Sequence, residues 1–171
     1  MTAPMLTTDR LILRTPDSRD EAAMLGFFTS DRARFYGGPY DLGGAWRYFA
    51  AQVGHWALRG FGMFAVTEKD SGATLGLAGP WQPPTFPEPE MAWLLTEAQH
   101  EGRGHAAEAV AAALAHAFET HGWASLPSYI DHENASSRAL ARRLGARPDP
   151  AATAPIANCE TFRHFAPEAR A

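Results

Sequence analysis

The feature that most constrains this chain is the run at residues 90–122, where an apolar strand leads into a glycine-broken turn and an alanine-rich helix. The turn contains Gly102 and Gly104 just before the helix should begin. The first N–H groups of a helix lack partners within it and carry roughly half a positive charge, so they bind phosphates well. Glycines let the backbone approach such an anion closely. The sequence therefore predicts an anion site built mainly from backbone.

The spacing of apolar residues supports the helix after this turn. Gly122 stands where a left-handed glycine commonly ends a helix. Two glycines alone are a weak signal, and the strand before them and the helix after them make the prediction more specific. Residues of one predicted buried face recur at helical intervals: Ala107, Val110, Ala111, Leu114 and Phe118.

Composition narrows the class of protein. The chain has 171 residues, of which 46% are hydrophobic, enough for the core of one domain spanning residues 1–171. Its net charge of −4 argues against nucleic-acid binding, which needs a basic face. The lone Cys159 excludes an intrachain disulfide and fits a reducing compartment. Without a signal-like opening or a membrane-length apolar run, we expect a soluble cytoplasmic protein with no membrane partner.

The remaining elements follow from apolar periodicity and turn residues. We expect the proline-rich segment 79–89 to be a stiff loop, because proline cannot donate a hydrogen bond to a sheet. The strand at 127–131 should lie parallel to the central strand through a right-handed crossover. Helical spacing predicts a second amphipathic helix with Trp46, Phe49, Ala50, Val53 and Trp56 on one face. The order predicts a mixed α/β domain with strands at 8–15, 62–68, 73–78, 91–95, 127–131 and 159–165, and helices at 21–30, around 46–56, up to Gly122 and from Asn134.

Further motifs accompany the glycine turn in a fixed order. They are TDRLILR at 8–14, ATLGLAG at 73–79, EMAWLL at 90–95, the set Gln99, Gly102 and Gly104, and the set Asn134, Ser137, Leu144 and Gly145. In this order and spacing the chain resembles the GCN5-related N-acetyltransferases (GNAT), in particular the ribosomal-protein-alanine acetyltransferase subgroup. The resemblance implies the GNAT acyl-CoA N-acyltransferase fold, an α+β fold whose mixed, mostly antiparallel sheet is flanked by helices and contains a splayed parallel strand pair.

The resemblance also implies a cosubstrate, acetyl-CoA, and an amine acceptor. The gap between the splayed strands would take the pantetheine arm, and the N–H groups of residues 102–106 would hold the pyrophosphate. Arg103 would add a charge contact and Asn134 a hydrogen bond. A homodimer is a further expectation from the family. The implied cofactor-binding residues are Trp93, Leu94, Leu95, Gln99, Gly102, Arg103, Gly104, His105, Ala106, Asn134 and Ser137.

Acetyl transfer to an amine requires a base, because an amine with a pKa of about 8 to 10 is mostly protonated at neutral pH. Glu90 is the first candidate by analogy with the family, although a solvated carboxylate at a strand end is an equal interpretation. The alternative bases are Glu88, Asp131 and His132. The oxyanion donor would be a backbone N–H around Leu94. Ser137 is the candidate acid for the leaving thiolate, or else only a first-turn helix residue.

Two residues depart from the family pattern. Glu101 places a negative charge inside the phosphate turn, so it should point outward or weaken binding, and Ala92 stands where a glycine is common. The four histidines at 100, 105, 116 and 121 are poorly spaced for a metal, so we expect no metal site.

Two other functions remain open from the residues. An acyl-CoA-binding sensor without chemistry would keep the same glycines. A dinucleotide-binding enzyme would also match the spacing from Gly102 to Ala107, but Ala124 stands where a ribose-binding acid is needed, about 20 residues on. For an acetyltransferase, the acids near the cleft favour a cationic acceptor, either a protein N-terminus or a small-molecule or drug amine.

Overall fold

The computed structural model describes residues 4–167. The helices are α1 Glu21–Phe28, α2 Leu42–Arg59, α3 His105–His121 and α4 Ala135–Arg143, with a 3-10 helix at Asp31–Tyr36 between α1 and α2. The strands are β1 Met5–Thr7, β2 Leu11–Arg14, β3 Phe64–Glu68, β4 Thr74–Trp81, β5 Glu90–Leu95, β6 Ser125–Asp131, β7 Arg147–Pro148 and β8 Cys159–Phe165.

The strands form two sheets that meet at an opening. The first is antiparallel with the order β1-β2-β3-β4-β5, and the second has the order β6-β8-β7. β5 and β6 lie side by side as the facing edges, but they share no ladder of backbone hydrogen bonds. Side chains join them instead, since the Ser128 hydroxyl donates to the Met91 carbonyl at 2.5 Å. The predicted fold, with its sheet opened between two strands, is confirmed.

Alternate residues of the first sheet face two hydrophobic cores. One core lies between this sheet, α3 and the second sheet, and the other lies beneath α1 and α2. β5 contributes to both, with Trp93 in the first core and Leu94 in the second. This strand is therefore fixed from both faces, while its outer edge borders the opening.

The buried face of α2 differs from the predicted one. Phe49 is buried as expected, but Trp46 is 51% exposed. Gln52 and His55 are buried instead. The His55 ring is accommodated because its Nδ1 lies 2.7 Å from the Phe61 carbonyl oxygen. Hydropathy alone placed the helix in the wrong rotation, since the polar residues Gln52 and His55 occupy part of its inner face. The inner face of α3 also differs, because Ala111 is exposed.

β4 runs further into the proline-rich segment than predicted. Pro80 pairs with Met91 and Trp81 pairs with Glu90, so the expected loop begins only after Trp81. The proline is tolerated because the Met91 carbonyl faces away from β4, towards Ser128, so this pair exchanges no backbone hydrogen bonds. The short strands β1 and β7 were not predicted either. The extension of β4 places the Trp81 position directly beside Glu90.

Candidate active site

A cavity of 470 Å³ opens at the start of α3. Gly102 and Gly104 both adopt left-handed backbone, with φ of 70° and 81°, which favours glycine. Gly104 is the N-cap of α3 and no side chain caps the helix there. His105 is buried, and its Nδ1 has no hydrogen-bond partner within residues 4–167. The start of α3 therefore presents backbone N–H groups without a side-chain cap to the cavity, as an anion site requires.

Basic side chains surround the same cavity. Arg34, His100 and Arg143 line it. Glu101, expected to point outward or weaken binding, also lines it, and its carboxylate pairs with Arg32 at 2.5 Å. The negative charge in the turn is thus neutralised by an arginine from the 3-10 helix. The surroundings remain favourable for phosphate groups.

The outer edge of β5 is occupied by side-chain donors. A Cβ on Gly76 of β4 would lie 1.9 Å from the Leu94 carbonyl oxygen, so that carbonyl faces β4. Because an extended residue directs its N–H and C=O to the same side, the N–H groups beside the opening are those of the odd-numbered residues. The outward carbonyls of Met91, Trp93 and Leu95 accept hydrogen bonds from Ser128, Tyr36 and Arg32, respectively.

Glu90 lies at the start of β5 in a second cavity, of 240 Å³. Only 7% of the residue is exposed, and its carboxylate accepts a hydrogen bond from the Tyr129 N–H at 3.3 Å. Burial raises the pKa of Glu90 to about 8, although the hydrogen bond from Tyr129 acts in the opposite direction. The interpretation as a solvated strand-end carboxylate is therefore wrong.

The other candidate bases are held differently. Arg163 binds the Glu88 carboxylate through two hydrogen bonds of 2.9 and 3.0 Å. Asp131 accepts hydrogen bonds from the Asn158 amide and the Glu133 N–H. His132 is exposed. Among these candidates, only Glu90 combines burial with an environment that favours the neutral acid.

Aromatic pairs flank Glu90 from both sides of β5. On the β4 side, the rings of Tyr48 and Trp81 stack with centroids 6.4 Å apart. On the β6 side, Phe86 and Tyr129 meet edge to face at 5.5 Å. All four residues line the second cavity. The carboxyl group thus lies between two aromatic walls.

The two cavities meet at a junction, whose residues line both: Phe35, Tyr36, Trp93, Asn134 and Ser137. The Asn134 side-chain oxygen accepts the Ser137 N–H at 3.2 Å and so caps α4, as predicted. The hydroxyl of Ser137 has no hydrogen bond within the described chain. It is thus free to contact a ligand at the junction. Burial raises the pKa of Tyr36, so its hydroxyl keeps the proton that it donates to Trp93.

Most residues predicted for the cofactor line the first cavity. Gln99 and Arg103 are not among its lining residues. The Gln99 amide donates to Glu97, and the Arg103 carbonyl accepts a hydrogen bond from Arg10 at 2.8 Å. The predicted residues that the first cavity brings together are Trp93, Leu94, Leu95, Gly102, Gly104, His105, Ala106, Asn134 and Ser137.

Sequence reasoning missed the residues that come from distant segments. No motif or spacing singled them out, and the glycines near Tyr36 indicated only a loop. The missed residues are Arg32, Phe35 and Tyr36 of the 3-10 helix, Tyr48 of α2, Trp81 of β4, and Phe86 of the following loop. Over residues 4–167, no group of three or more potential metal ligands is found, and no helix has the length and apolarity to cross a membrane.

The opened sheet and the uncapped helix start beside it agree with the fold that the resemblance to the acyl-CoA N-acyltransferases implied. The sequence model of the acetyltransferase (GNAT) domain family matches residues 10–147. The chain belongs to this family, whose members are acetyl-CoA-dependent N-acetyltransferases. This membership excludes the dinucleotide-binding alternative.

Individual proteins are also similar to this chain. The acetyltransferase from Agrobacterium tumefaciens str. C58 is 37% identical, with a TM-score of 0.90 over 97% of this chain and 96% of that chain. The uncharacterized protein YkkB from Bacillus subtilis is 28% identical over 149 residues, which are 82% of this chain and 83% of YkkB. A putative ribosomal-protein-serine acetyltransferase from Vibrio cholerae has a TM-score of 0.74 at 20% identity, over 95% of this chain and 98% of that chain. This last likeness shows a shared fold.

Proposed function

We propose that this chain, acting as one domain over residues 1–171, transfers the acetyl group of acetyl-CoA to a primary amine, with Glu90 as the general base. The observation that carries the proposal is the position of Glu90: a buried carboxyl group in a cavity that joins the candidate cofactor cleft. A sensor without chemistry has no need for a carboxyl group in such an environment. Perturbed titratable groups in clefts are typical of catalytic sites.

The first cavity fits acetyl-CoA, which supplies an acetyl group activated as a thioester. The uncapped start of α3 and the left-handed Gly102 and Gly104 suit the pyrophosphate. His105, whose pKa is lowered by burial, and the basic side chains around it face the same space. Asn134 keeps its amide N–H groups for the ligand, because only its oxygen is used in capping α4. The contribution of Arg103 and Gln99 to acetyl-CoA binding stays a prediction.

Glu90 prepares the acceptor by removing a proton. An ammonium group with a pKa of about 8 to 10 and a carboxyl group with a pKa of about 8 are closely matched, so proton transfer between them is nearly balanced. The proton passes from the ammonium nitrogen to the carboxylate oxygen, which leaves a neutral amine beside the junction. The backbone N–H groups of Trp93 and Leu95 face this region and are better placed than that of Leu94 to stabilise an oxyanion.

As the C–N bond forms and the C–S bond breaks, the nitrogen loses a proton, and Ser137 is our candidate for relaying a proton to the departing thiolate. It lines both cavities, and its hydroxyl is not used within the described chain. A thiol has a pKa of about 8.5, so the thiolate is a fair leaving group even without an acid. The role of Ser137 is therefore expected to be smaller than that of Glu90.

The first experiment is a titration of the purified chain with acetyl-CoA, CoA and NADH, followed by a screen of amines for release of free thiol. We expect micromolar binding of acetyl-CoA, no binding of NADH, and thiol release that depends on the amine. Binding of acetyl-CoA without turnover of any amine, including protein N-termini, would support the sensor alternative. Failure to bind acetyl-CoA would overturn the proposal.

A further inference from the structure

The charged residues found along the second cavity are acidic. Its acidic residues are Glu90 and Asp131, and no lysine, arginine or histidine lies among its lining residues in the described part of the chain. An acceptor that carries a carboxylate or phosphate would find no cation there. Burying such an anion without a partner is strongly unfavourable. Free amino acids are therefore poor candidates.

The walls of the cavity favour a flat apolar body. Tyr48 and Trp81 lie on one side of Glu90, and Phe86 and Tyr129 lie on the other. Aromatic rings stabilise another ring by offset or edge-to-face packing, and they attract an ammonium group through their faces. A ring and an ammonium group on one molecule would use both properties.

The size of the cavity limits the acceptor. The cavity has a volume of 240 Å³. This volume lies below the roughly 300 to 1,000 Å³ of pockets that enclose drug-sized ligands, so the space favours a small acceptor over one of aminoglycoside size. A ring with a short aminoalkyl arm fits this space. The amide groups of a peptide gain less than a ring does against such walls.

We infer that the acceptor is a small aromatic primary monoamine without a carboxylate, bound with its amine at Glu90 and its ring between the two aromatic walls. The inference rests on the proposed function and specifies its acceptor. It distinguishes this cavity from one that binds a protein N-terminus, a polyamine or an amino acid.

The experiment compares kcat/KM for matched amines by thiol release at saturating acetyl-CoA. The probes are 2-phenylethylamine, phenylalanine, a peptide amide with N-terminal phenylalanine, and spermidine. We expect 2-phenylethylamine to exceed phenylalanine by roughly a hundredfold, because the added carboxylate lacks a partner. It should exceed the peptide and spermidine by roughly tenfold. Equal or higher kcat/KM for any of these three overturns the inference.

Two substitutions make the comparison sharper. Phe86→Ala removes one wall and should lower kcat/KM for 2-phenylethylamine by roughly tenfold, with acetyl-CoA affinity unchanged. Trp46→Ala is its control, since this aromatic residue is 51% exposed on α2 and lines neither cavity. An equal effect of both substitutions would contradict the role of the wall.

Ile156→Arg adds a cation where the cavity has none. Ile156 lines the second cavity and is 42% exposed, so an arginine is tolerated there. The ratio of kcat/KM for phenylalanine to that for 2-phenylethylamine should rise by roughly tenfold. Leu58→Arg, at a position 84% exposed near the end of α2, is the control and should leave the ratio unchanged. An unchanged ratio in Ile156→Arg would contradict the charge argument.

The outcomes separate the two proposals. Thiol release with spermidine or the peptide, but not with 2-phenylethylamine, would overturn the aromatic acceptor and leave the acetyltransferase assignment intact. Acetyl-CoA binding without thiol release from any probe or protein would overturn both.

Discussion

The two cavities of the active site are built in different ways. The first depends on the backbone of one continuous segment, the turn and start of α3, with basic side chains around it. The second is made of residues from the 3-10 helix, α2, β4, β5, β6, α4 and several loops, and it is acidic and aromatic. A site for a common cosubstrate can therefore be read from a short motif. A site for a particular acceptor depends on residues that only the folded chain brings together.

The largest expected effect is a loss of acetyl-CoA affinity, which tests the first cavity. Gly104→Glu forces a side chain into left-handed backbone and places a negative charge against the phosphate site. Acetyl-CoA affinity should fall by about three orders of magnitude in a calorimetric titration. Gly72→Glu is the control, because Gly72 has a similar φ of 72° in a turn outside both cavities. Equal affinity in both variants would show that the helix start does not bind the cosubstrate.

The second largest expected effect is a loss of turnover, which tests the second cavity. Glu90→Gln removes the base, so turnover should fall by about a hundredfold while acetyl-CoA affinity is unchanged. The base acts as the carboxylate, and burial raises its pKa to about 8. In the native enzyme kcat/KM should therefore rise with pH up to about 8 and then level off, and Glu90→Gln should lose this component of the rise.

A matched control tests whether any carboxyl group near β6 has this effect. Glu133→Gln alters an exposed acid in the loop after β6 and should retain the native pH profile. If Glu90→Gln kept native activity at every pH, Glu90 would not be the base.

A substitution in β4 should displace β5, whose residues line both cavities. Gly76→Ala would place a Cβ 1.9 Å from the Leu94 carbonyl oxygen, so β5 must move away from β4. We expect a loss of about 2 to 4 kcal/mol in the free energy of unfolding, measured with denaturant. Gly54→Ala, in the middle of α2 with no atom within 4 Å of its Cβ, should instead stabilise by up to about 1 kcal/mol. Similar stability in the two variants would contradict the close approach of β4 and β5.

The smallest predicted effect concerns the acid in the phosphate turn. Arg32→Ala leaves Glu101 uncompensated beside the cosubstrate, so acetyl-CoA affinity should fall by about tenfold. The double variant Arg32→Ala/Glu101→Gln should recover part of this loss. Arg19→Ala, which breaks an exposed ion pair with Asp17, should have no effect on affinity. No recovery in the double variant would show that Arg32 acts in another way.

Sequence reasoning was most accurate where local chemistry decides the structure. Glycine ended α3 at the predicted position, Asn134 capped α4, and β8 occupies residues 159–165 as predicted. Each depends on periodicity or on a cap within a few residues. The same locality explains why most of the residues predicted for the cofactor line the first cavity.

Reasoning failed where a residue depends on a distant partner. The compensation of Glu101 comes from Arg32, 69 positions away. The burial of His55 on α2 depends in part on the Gln82 N–H, which donates to the His55 ring from 27 positions away. The pairing of Pro80 depends on the direction of the Met91 carbonyl. None of these contacts leaves a pattern in the local sequence. The aromatic walls around Glu90 are of the same kind.

The donors along the outer edge of β5 have a consequence for solubility. An open strand edge is a template on which another chain can add a strand and aggregate. β5 must keep such an edge beside the opening, yet Ser128, Tyr36 and Arg32 already occupy its outward carbonyls. The enzyme thus leaves room for a ligand without offering a complete row of acceptors to a neighbouring molecule. Substitutions of these three residues should therefore be examined for self-association before any loss of activity is assigned to chemistry.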